Sequence, residues 1–226
     1  MKVPFFNYSK LYEDDKTLLD PVVKDCMSRG AFIMQDDLAQ LEVELADYLE
    51  AKYVIGVADG TNAIFISLIA LGLKSGGEVI MPSHTFCATA SAVKHAGLQP
   101  VLADCREDHL LNPNDIEHRI NKNTVAIMPV QLNGRTCEMD RISEIAKKYN
   151  LPIIEDSCQA LGSKFKNKFA GTFGEFGVLS FYPAKTLGCF GDGGAIITSN
   201  DELYNQIIQL RDHGRNSVGM VTKWGF

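Results

Sequence analysis

The sequence lacks the features that would place the chain in a membrane, outside the cell or on a nucleic acid. No run of about 18 apolar residues occurs, and the first ten residues contain no signal-peptide core. The six cysteines form no C-x-x-C pair, so nothing supports a metal site or thioredoxin-like chemistry. Lys and Arg (22) are outnumbered by Asp and Glu (28), which disfavours a surface for nucleic-acid phosphates. We therefore expect a cytoplasmic protein with free thiols and with neither membrane nor nucleic acid as a partner.

Two nucleotide-binding signatures are also missing. No G-x-G-x-x-G follows the first predicted strand, and no Walker G-K-[ST] occurs anywhere in the chain. The first absence excludes a nicotinamide-dependent dehydrogenase of the Rossmann type, and the second excludes a P-loop enzyme.

What is present is a globular α/β pattern. The 226 residues are 46% hydrophobic and 22% charged, enough for one large domain with a sizeable core. Apolar runs that do not alternate with polar residues are typical of strands buried on both faces of a parallel sheet. Such strands are predicted at Tyr53–Ala58, Glu78–Pro82, Gln99–Asp104, Thr124–Val130, Leu151–Asp156, Gly177–Phe181 and Ala195–Ser199.

Helix-like segments separate these strands. They are predicted at Asp36–Leu49, Thr61–Leu71, Thr85–Ala96, Asn114–Ile120, Met139–Tyr149 and Asp201–Asp212. The alternation predicts the fold class α/β, with a mostly parallel central sheet flanked by helices. The lysines at 164, 166 and 168 are expected in a solvated turn between strands.

Ligand sites in such sheets lie beyond the carboxyl ends of the strands. After the first strand, Gly60, Thr61 and Asn62 open a helix whose free amides and dipole suit a phosphate, although a plain capped turn has the same sequence. After the second strand, Phe86 is placed either to stack on a planar ligand or to fill the core.

Two further strands end in ionisable residues. Asp156 follows an apolar strand and needs a cationic partner if it is desolvated, or else it caps a helix, and Gln159 lies one helical turn on. Ser180 ends the next strand. Lys185 then enters a glycine-rich turn, where partial desolvation would favour the neutral, nucleophilic amine; a surface lysine is the alternative.

Taken together, these groups match pyridoxal phosphate. That cofactor needs an anion site for its phosphate, a face against which its ring can stack, a carboxylate beside its pyridinium nitrogen and a lysine for its aldehyde. No other single cofactor accounts for all four features.

The same segments resemble the sugar aminotransferases of the DegT/DnrJ/EryC1/StrS family, within the fold type I pyridoxal-phosphate enzymes. The resemblance rests on four segments and extends along almost the whole chain to Leu210–Gly214. The segments are GTNA at Gly60–Ala63, PSHTF at Pro82–Phe86, EDSCQA at Glu155–Ala160 and SFYPAKTLGCFGDGG at Ser180–Gly194.

The resemblance implies a role for each matching residue. Lys185 would be the catalytic residue, bonded to the cofactor aldehyde, and Asp156 would pair with the pyridinium nitrogen. The other implied contacts are Gln159 beside the ring hydroxyl, Phe86 on the ring face, and Gly60, Thr61, Asn62 and Ser180 around the phosphate. Phe32 falls where members of the family often place an aromatic residue near the sugar.

The implied activity is transfer of an amino group from an amino acid, expected to be glutamate, to a nucleotide-linked keto sugar for amino-sugar and polysaccharide biosynthesis. The family also implies a homodimer with shared sites and a C-terminal small domain. Residues 1–226 would be the cofactor-binding large domain, and the sequence predicts that the chain is part of a longer polypeptide. Two alternatives remain: a non-catalytic cofactor-binding or regulatory module, and a pyridoxamine-phosphate-dependent sugar dehydratase, whose relatives replace the lysine by histidine.

Overall fold

The computed structural model describes residues 3–226 as alternating helices and strands. Helices are α1 Tyr8–Arg29, α2 Asp36–Tyr48, α3 Gly60–Ala70, α4 Cys87–His95, α5 Pro113–Arg119, α6 Met139–Tyr149 and α7 Asp201–Leu210. Strands are β1 Tyr53–Val57, β2 Glu78–Pro82, β3 Gln99–Ala103, β4 Thr124–Ile127, β5 Ile154–Asp156, β6 Lys164–Phe165, β7 Lys168–Phe169, β8 Phe176–Ser180 and β9 Gly194–Thr198.

The strands form a mostly parallel sheet, as predicted. Hydrogen-bonded pairing gives the orders β3-β2-β4 and β5-β8-β9-β1, and parallel bridges from Ile127 to Ile153 and from Val130 to Asp156 join β4 to β5. Neighbouring strands are parallel except at β9, which runs antiparallel to both β8 and β1. Strands β1, β2, β5 and β8 therefore point the same way.

Strands β4 and β5 are each three residues shorter than predicted, and proline explains both. Pro129 and Pro152 have no amide hydrogen to give to a ladder. Strand β4 ends at Ile127 and β5 begins only at Ile154. The backbone between them is still held together, because the Ile127 amide donates to the Pro152 carbonyl at 3.0 Å.

The core lies on both faces of this sheet. Helix α3 is buried along most of its length and packs with α4 and α7 on one face. Helices α5 and α6 cover β4 and the neighbouring strands on the other face. A third group of apolar side chains joins α2 to β1, β8 and β9. None of the described helices is long and apolar enough to cross a bilayer.

Helix α1 has no counterpart in the predicted elements. It runs for 22 residues, contains Pro21, and has no buried side chain. It contacts the segment after β8, where the rings of Tyr12 and Phe190 meet edge to face at 6.5 Å, and α2, through the ion pair of Arg29 with Asp37.

Lysines 164, 166 and 168 belong to a small hairpin formed by β6 and β7, so the predicted turn is part of a two-stranded element. Lys166 and Asn167 occupy its turn with positive φ.

Candidate functional site

Four strand ends meet at one edge of the sheet. Because β1, β2, β5 and β8 are parallel, their carboxyl ends lie at the same edge, and every residue proposed for the cofactor site from the sequence ends or follows one of them. Strand β9 begins at the same edge, with Gly194 paired to both Val57 and Ser180.

Gly60 and Ser180 pack together at this edge. A Cβ atom on Gly60 would lie 2.8 Å from the Ser180 Cβ atom and 2.8 Å from the Cys158 sulfur, closer than real Cβ contacts. Gly194 reaches the same corner, where its own Cβ would fall 2.8 Å from the Gly60 nitrogen. The glycines therefore allow three chain segments to meet where a side chain would separate them.

The first turn of α3 presents amides to this corner. Asp59 is the N-cap: its Oδ1 accepts from the Asn62 amide at 2.8 Å and its Oδ2 from the Asn62 side chain at 2.5 Å. Helix geometry leaves the amides of Gly60 and Thr61 without intrahelical acceptors. The Ser180 hydroxyl beside them accepts only a long, 3.3 Å bond from the Tyr182 amide. This group of donors suits an anion.

Asp156 is 5% exposed and is held by two donors. Its Oδ2 accepts from the Thr89 hydroxyl at 2.8 Å, and its Oδ1 accepts from the Cys158 amide at 3.2 Å. Thr89 is itself 1% exposed and lies in α4, 67 positions earlier in the chain. Sequence reasoning missed Thr89, because no local pattern links it to Asp156.

Cys158 lies among the other site residues and was also missed. Its sulfur faces Gly60. Burial, and then the charge and hydrogen bonding of Asp156, raise the pKa of its thiol well above the ordinary value, while the positive charge of Lys185 acts in the opposite sense. Cys158 therefore lies between Gly60, at the anion corner, and the carboxylate of Asp156.

Lys185 lies in the turn-rich segment after β8 and is half-buried. Its amide donates to the Tyr182 carbonyl at 2.8 Å, and the Cys189 amide donates to the Phe181 carbonyl at 2.8 Å, so the backbone on each side of the lysine is fixed. Gly188 lets the turn close, since a Cβ there would lie 2.5 Å from the Pro183 carbonyl oxygen.

Gln159 is anchored by its oxygen atoms. Its side-chain Oε1 accepts from the Asn133 amide at 3.2 Å, and its carbonyl accepts from the Gly134 amide at 2.9 Å. This arrangement leaves the side-chain NH₂ to donate elsewhere.

Phe86 directly precedes α4, and its ring is 66% exposed. The exposure excludes a core role and leaves the side chain available for stacking. The Phe86 carbonyl accepts from the Thr89 amide at 3.2 Å, so the two residues occupy the same first turn.

A cleft of about 780 Å³ lies beside this edge, between the segment before α2, the strand β1 and the segment after α7. Asn62 is the one proposed phosphate-site residue that lines it, and Phe32, which is 68% exposed, lines it as well. On its wall Arg211 pairs with Glu42, and both side chains are bonded to the backbone of Gly56.

Comparison with known proteins identifies the relatives of this chain. The DegT/DnrJ/EryC1/StrS aminotransferase family matches residues 13–225. The chain is 40% identical over 215 residues to a protein of Geobacillus stearothermophilus named pleiotropic regulatory protein, covering 95% of this chain and 58% of that protein. It is also 40% identical over 202 residues to the UDP-2-acetamido-2-deoxy-3-oxo-D-glucuronate aminotransferase of Pseudomonas aeruginosa, covering 89% of this chain and 56% of the enzyme.

Among solved structures, NtdA of Bacillus subtilis with bound cofactor PMP superposes with a TM-score of 0.92 at 37% identity. The superposition covers 100% of this chain and 52% of NtdA. The chain thus spans little more than half the length of the proteins that it matches.

Proposed function

This chain belongs to the DegT/DnrJ/EryC1/StrS aminotransferase family, and from that premise we propose that it is the pyridoxal-phosphate-binding portion of a sugar aminotransferase. The proposed reaction moves an amino group from an amino acid, glutamate, to a keto sugar carried on a nucleotide, for amino-sugar and polysaccharide biosynthesis. Residues 1–226 form the cofactor-binding large domain in this proposal.

One observation supports this proposal above the others. The Cys158 sulfur meets Gly60, the Cys158 amide donates to Asp156, and Lys185 follows Ser180 by five residues in the segment after β8. The anion corner and the buried carboxylate are therefore adjacent at the edge of the sheet, and the lysine belongs to the segment that leaves the same corner, as a cofactor with a phosphate, a ring nitrogen and an aldehyde requires.

The residues present fit that cofactor. The amides of Gly60 and Thr61, with Asn62 and the Ser180 hydroxyl, would hold its phosphate. Asp156 would stabilise the protonated ring nitrogen and Lys185 would carry the aldehyde. Among the ring contacts, Phe86 would stack on one face and the free NH₂ of Gln159 would meet the ring hydroxyl.

The chemistry divides between cofactor and chain. When bound, pyridoxal phosphate supplies an aldehyde and a ring that withdraws electrons from the reacting carbon. The buried Asp156 holds a proton on the ring nitrogen and so keeps that ring electron-poor. The Nζ of Lys185 would remove a proton from the substrate carbon and would donate it to the cofactor carbon that bears the amine.

The nucleotide sugar is supported by the relatives and by the cleft. The Pseudomonas aeruginosa enzyme is named for a UDP-linked 3-oxo sugar acid. In this chain both Phe32 and Asn62 line the cleft, so the cleft adjoins the proposed phosphate site. A sugar bound in the cleft would lie between Phe32 and that site.

A homodimer with shared sites is supported by α1. The helix exposes apolar side chains along its length, including Leu11, Leu18, Val22 and Met27. An apolar surface of this kind marks an interaction site more often than a free face. Because α1 contacts the segment that carries Lys185 through Tyr12 and Phe190, a second copy bound to α1 would lie near the active site.

A regulatory role is the second candidate, since one relative is named a pleiotropic regulatory protein. This candidate predicts that the chain binds the cofactor without turning over an amino acid. The sugar dehydratase is disfavoured because position 185 is lysine and not histidine.

The decisive experiment adds pyridoxal phosphate and then glutamate to the chain. We expect a visible absorbance band from the lysine-bound cofactor and its conversion to the pyridoxamine form by glutamate. Lys185→Ala should abolish the band, whereas Lys164→Ala, in the exposed hairpin, should leave it intact. A band that persists in Lys185→Ala refutes the site, and binding without conversion favours the regulatory role.

A further inference from the structure

The side chain of Asp156 is held by a hydroxyl from a different layer of the fold. Thr89 Oγ1 lies 2.8 Å from Asp156 Oδ2, and both residues are almost fully buried. Thr89 is in α4, which packs on the face of the sheet opposite α5 and α6. The bond therefore links a helix to the end of the central strand β5.

A second hydroxyl continues the chain of bonds. Thr85 Oγ1 lies 2.9 Å from Thr89 Oγ1. Each hydroxyl has one hydrogen to donate, and a carboxylate only accepts. If Thr89 gives its hydrogen to Asp156, it must accept from Thr85. The direction of both bonds is thus fixed as Thr85 to Thr89 to Asp156.

Asp156 has little freedom as a result. Its other oxygen accepts from the Cys158 amide at 3.2 Å, so each carboxylate oxygen already has one protein donor. An oxygen accepts a second hydrogen bond, and a ligand that donates one to this carboxylate meets an orientation fixed in advance. Rotation of the side chain would break at least one of the two bonds.

We propose that Thr89, supported by Thr85, is a positioning residue that sets the orientation of Asp156 toward the cofactor ring nitrogen. This inference rests on the proposed function. Phe86 stands one turn before Thr89 in the same helical segment. The first turn of α4 and its N-cap residue Phe86 would therefore fix both the surface against which the cofactor ring stacks and the carboxylate at the ring nitrogen.

The hydrogen bond from Thr89 to Asp156 would serve cofactor binding as well as folding. The proton on the ring nitrogen is stabilised only if the carboxylate is aimed at it, and misplacement of a preorganised group is costly in an active site. A hydroxyl held by a second hydroxyl is well ordered, because neither rotor is free. Loss of the Thr89 hydroxyl should therefore weaken the cofactor interaction as well as the fold.

Thr89→Val tests the inference, with Thr89→Ser as its matched control. Valine keeps the shape of threonine and removes the hydroxyl, whereas serine keeps the hydroxyl. The bond to a charged group predicts that Thr89→Val binds pyridoxal phosphate about 10-fold or more weakly, and that Thr89→Ser recovers most of the loss. Thr85→Val, which removes only the outer hydroxyl, should give a smaller effect in the same direction.

Two readouts separate positioning from simple packing. The pH midpoint of the bound cofactor's absorbance should differ from that of the unmodified chain in Thr89→Val and should match it in Thr89→Ser. A purely structural defect would not cause this difference. Crystal structures of the cofactor-free variants should show the Asp156 carboxylate rotated in Thr89→Val and unrotated in Thr89→Ser. If Thr89→Val does not fold, Thr85→Val carries the same two measurements.

The outcomes distinguish this inference from the proposed function. If the unmodified chain binds no cofactor but Thr89→Val rotates Asp156, the positioning role stands and the proposed function fails. If the unmodified chain binds the cofactor and Thr89→Val matches it in affinity, pH midpoint and Asp156 orientation, the positioning role is overturned and the proposed function stands.

Discussion

Glu155 and Asp156 are consecutive residues of β5 whose carboxylates serve opposite faces of the sheet. Asp156 reaches Thr89 on the α4 side. Glu155 turns to the other side, where it accepts four hydrogen bonds: from the amides of Gly171, Phe173 and Gly174 and from the side-chain amide of Gln131. The alternation of side chains along a strand thus places one carboxylate in the candidate site and one in the structure beneath it.

Glu155→Ala should destabilise the fold strongly. Glu155 is fully buried, and its removal would leave three backbone amides without acceptors and the Gln131 NH₂ with the Met139 sulfur alone, at 3.3 Å. We expect a loss of about 3 kcal/mol or more in the free energy of unfolding, measured by urea denaturation. Glu155→Gln keeps an acceptor oxygen for one pair of donors and should lose less. Equal losses in the two variants would contradict this account.

The pH dependence of stability should report the same residue. Burial raises the pKa of the Glu155 carboxyl, and its four hydrogen bonds oppose that shift without cancelling it. A raised folded-state pKa contributes stability that is complete below the unfolded value of about 4.3 and is lost as pH rises through the folded value. The stability of the unmodified chain relative to Glu155→Gln should therefore fall as pH rises above about 4.3. A rise would show that the charged form is favoured instead.

Gly60→Ala should weaken both the fold and cofactor binding. The backbone of Gly60 is helical, so strain comes from space: the new methyl group would press on the Cys158 sulfur and the Ser180 Cβ atom, each 2.8 Å away. Overpacking of this kind costs about 1–3 kcal/mol. The displacement of Ser180 should also raise the dissociation constant for pyridoxal phosphate, measured by absorbance titration.

Cys158→Ala supplies the control for Gly60→Ala. It removes one of the two atoms that the new methyl group meets. The double variant should therefore be more stable than the sum of the two single losses predicts, and additive losses would place the strain elsewhere.

Thiol labelling should separate two of the free cysteines. Cys87 is exposed at the start of α4. Cys137 is buried, and burial raises the pKa of its thiol to about 12. At pH 8 only about one Cys137 in ten thousand would be a thiolate.

A maleimide reagent should accordingly modify Cys87 quickly in the folded chain and Cys137 only after unfolding, as mass spectrometry of peptides would show. Cys87→Ser should remove that modification. Rapid labelling of Cys137 under native conditions would contradict its burial.

The elements that the sequence predicted are those whose burial leaves a pattern. Helix α6 and strand β2 have the predicted ends, because the apolar residues of α6 recur at helical spacing and the apolar run of β2 lies between Glu78 and Pro82. Helix α1 was not predicted, because none of its side chains is buried and a periodic hydrophobic pattern arises only where a helix is buried against the rest of the chain.

The candidate site shows the same limit. The residues that follow strands, such as Asp156 and Lys185, were found because the topology of a parallel sheet gathers them. Thr89 and Cys158 were not, since their roles depend on contacts across the fold. The Thr89 bond spans 67 positions, and no spacing rule connects residues that far apart.

Ser157→Ala should be neutral or stabilising, although the residue is 1% exposed and adjoins Asp156. Its hydroxyl is buried without a hydrogen-bond partner among residues 3–226. An unpaired buried hydroxyl costs the desolvation of its polar group, about 1–3 kcal/mol, and alanine removes that cost together with a small packing contact. Ser67→Ala is the matched control, because Ser67 is equally buried but donates to the Ala63 carbonyl at 2.7 Å.

We expect Ser67→Ala to lower the free energy of unfolding and Ser157→Ala to leave it unchanged or raise it by up to about 1 kcal/mol, as read from urea denaturation of the two variants side by side. A large loss in Ser157→Ala would mean that its hydroxyl has a partner, such as a bound ligand or an ordered water molecule at the edge of the sheet. Repeating the measurement with and without pyridoxal phosphate distinguishes these two sources, since only a ligand-bonded hydroxyl would make the loss depend on the cofactor.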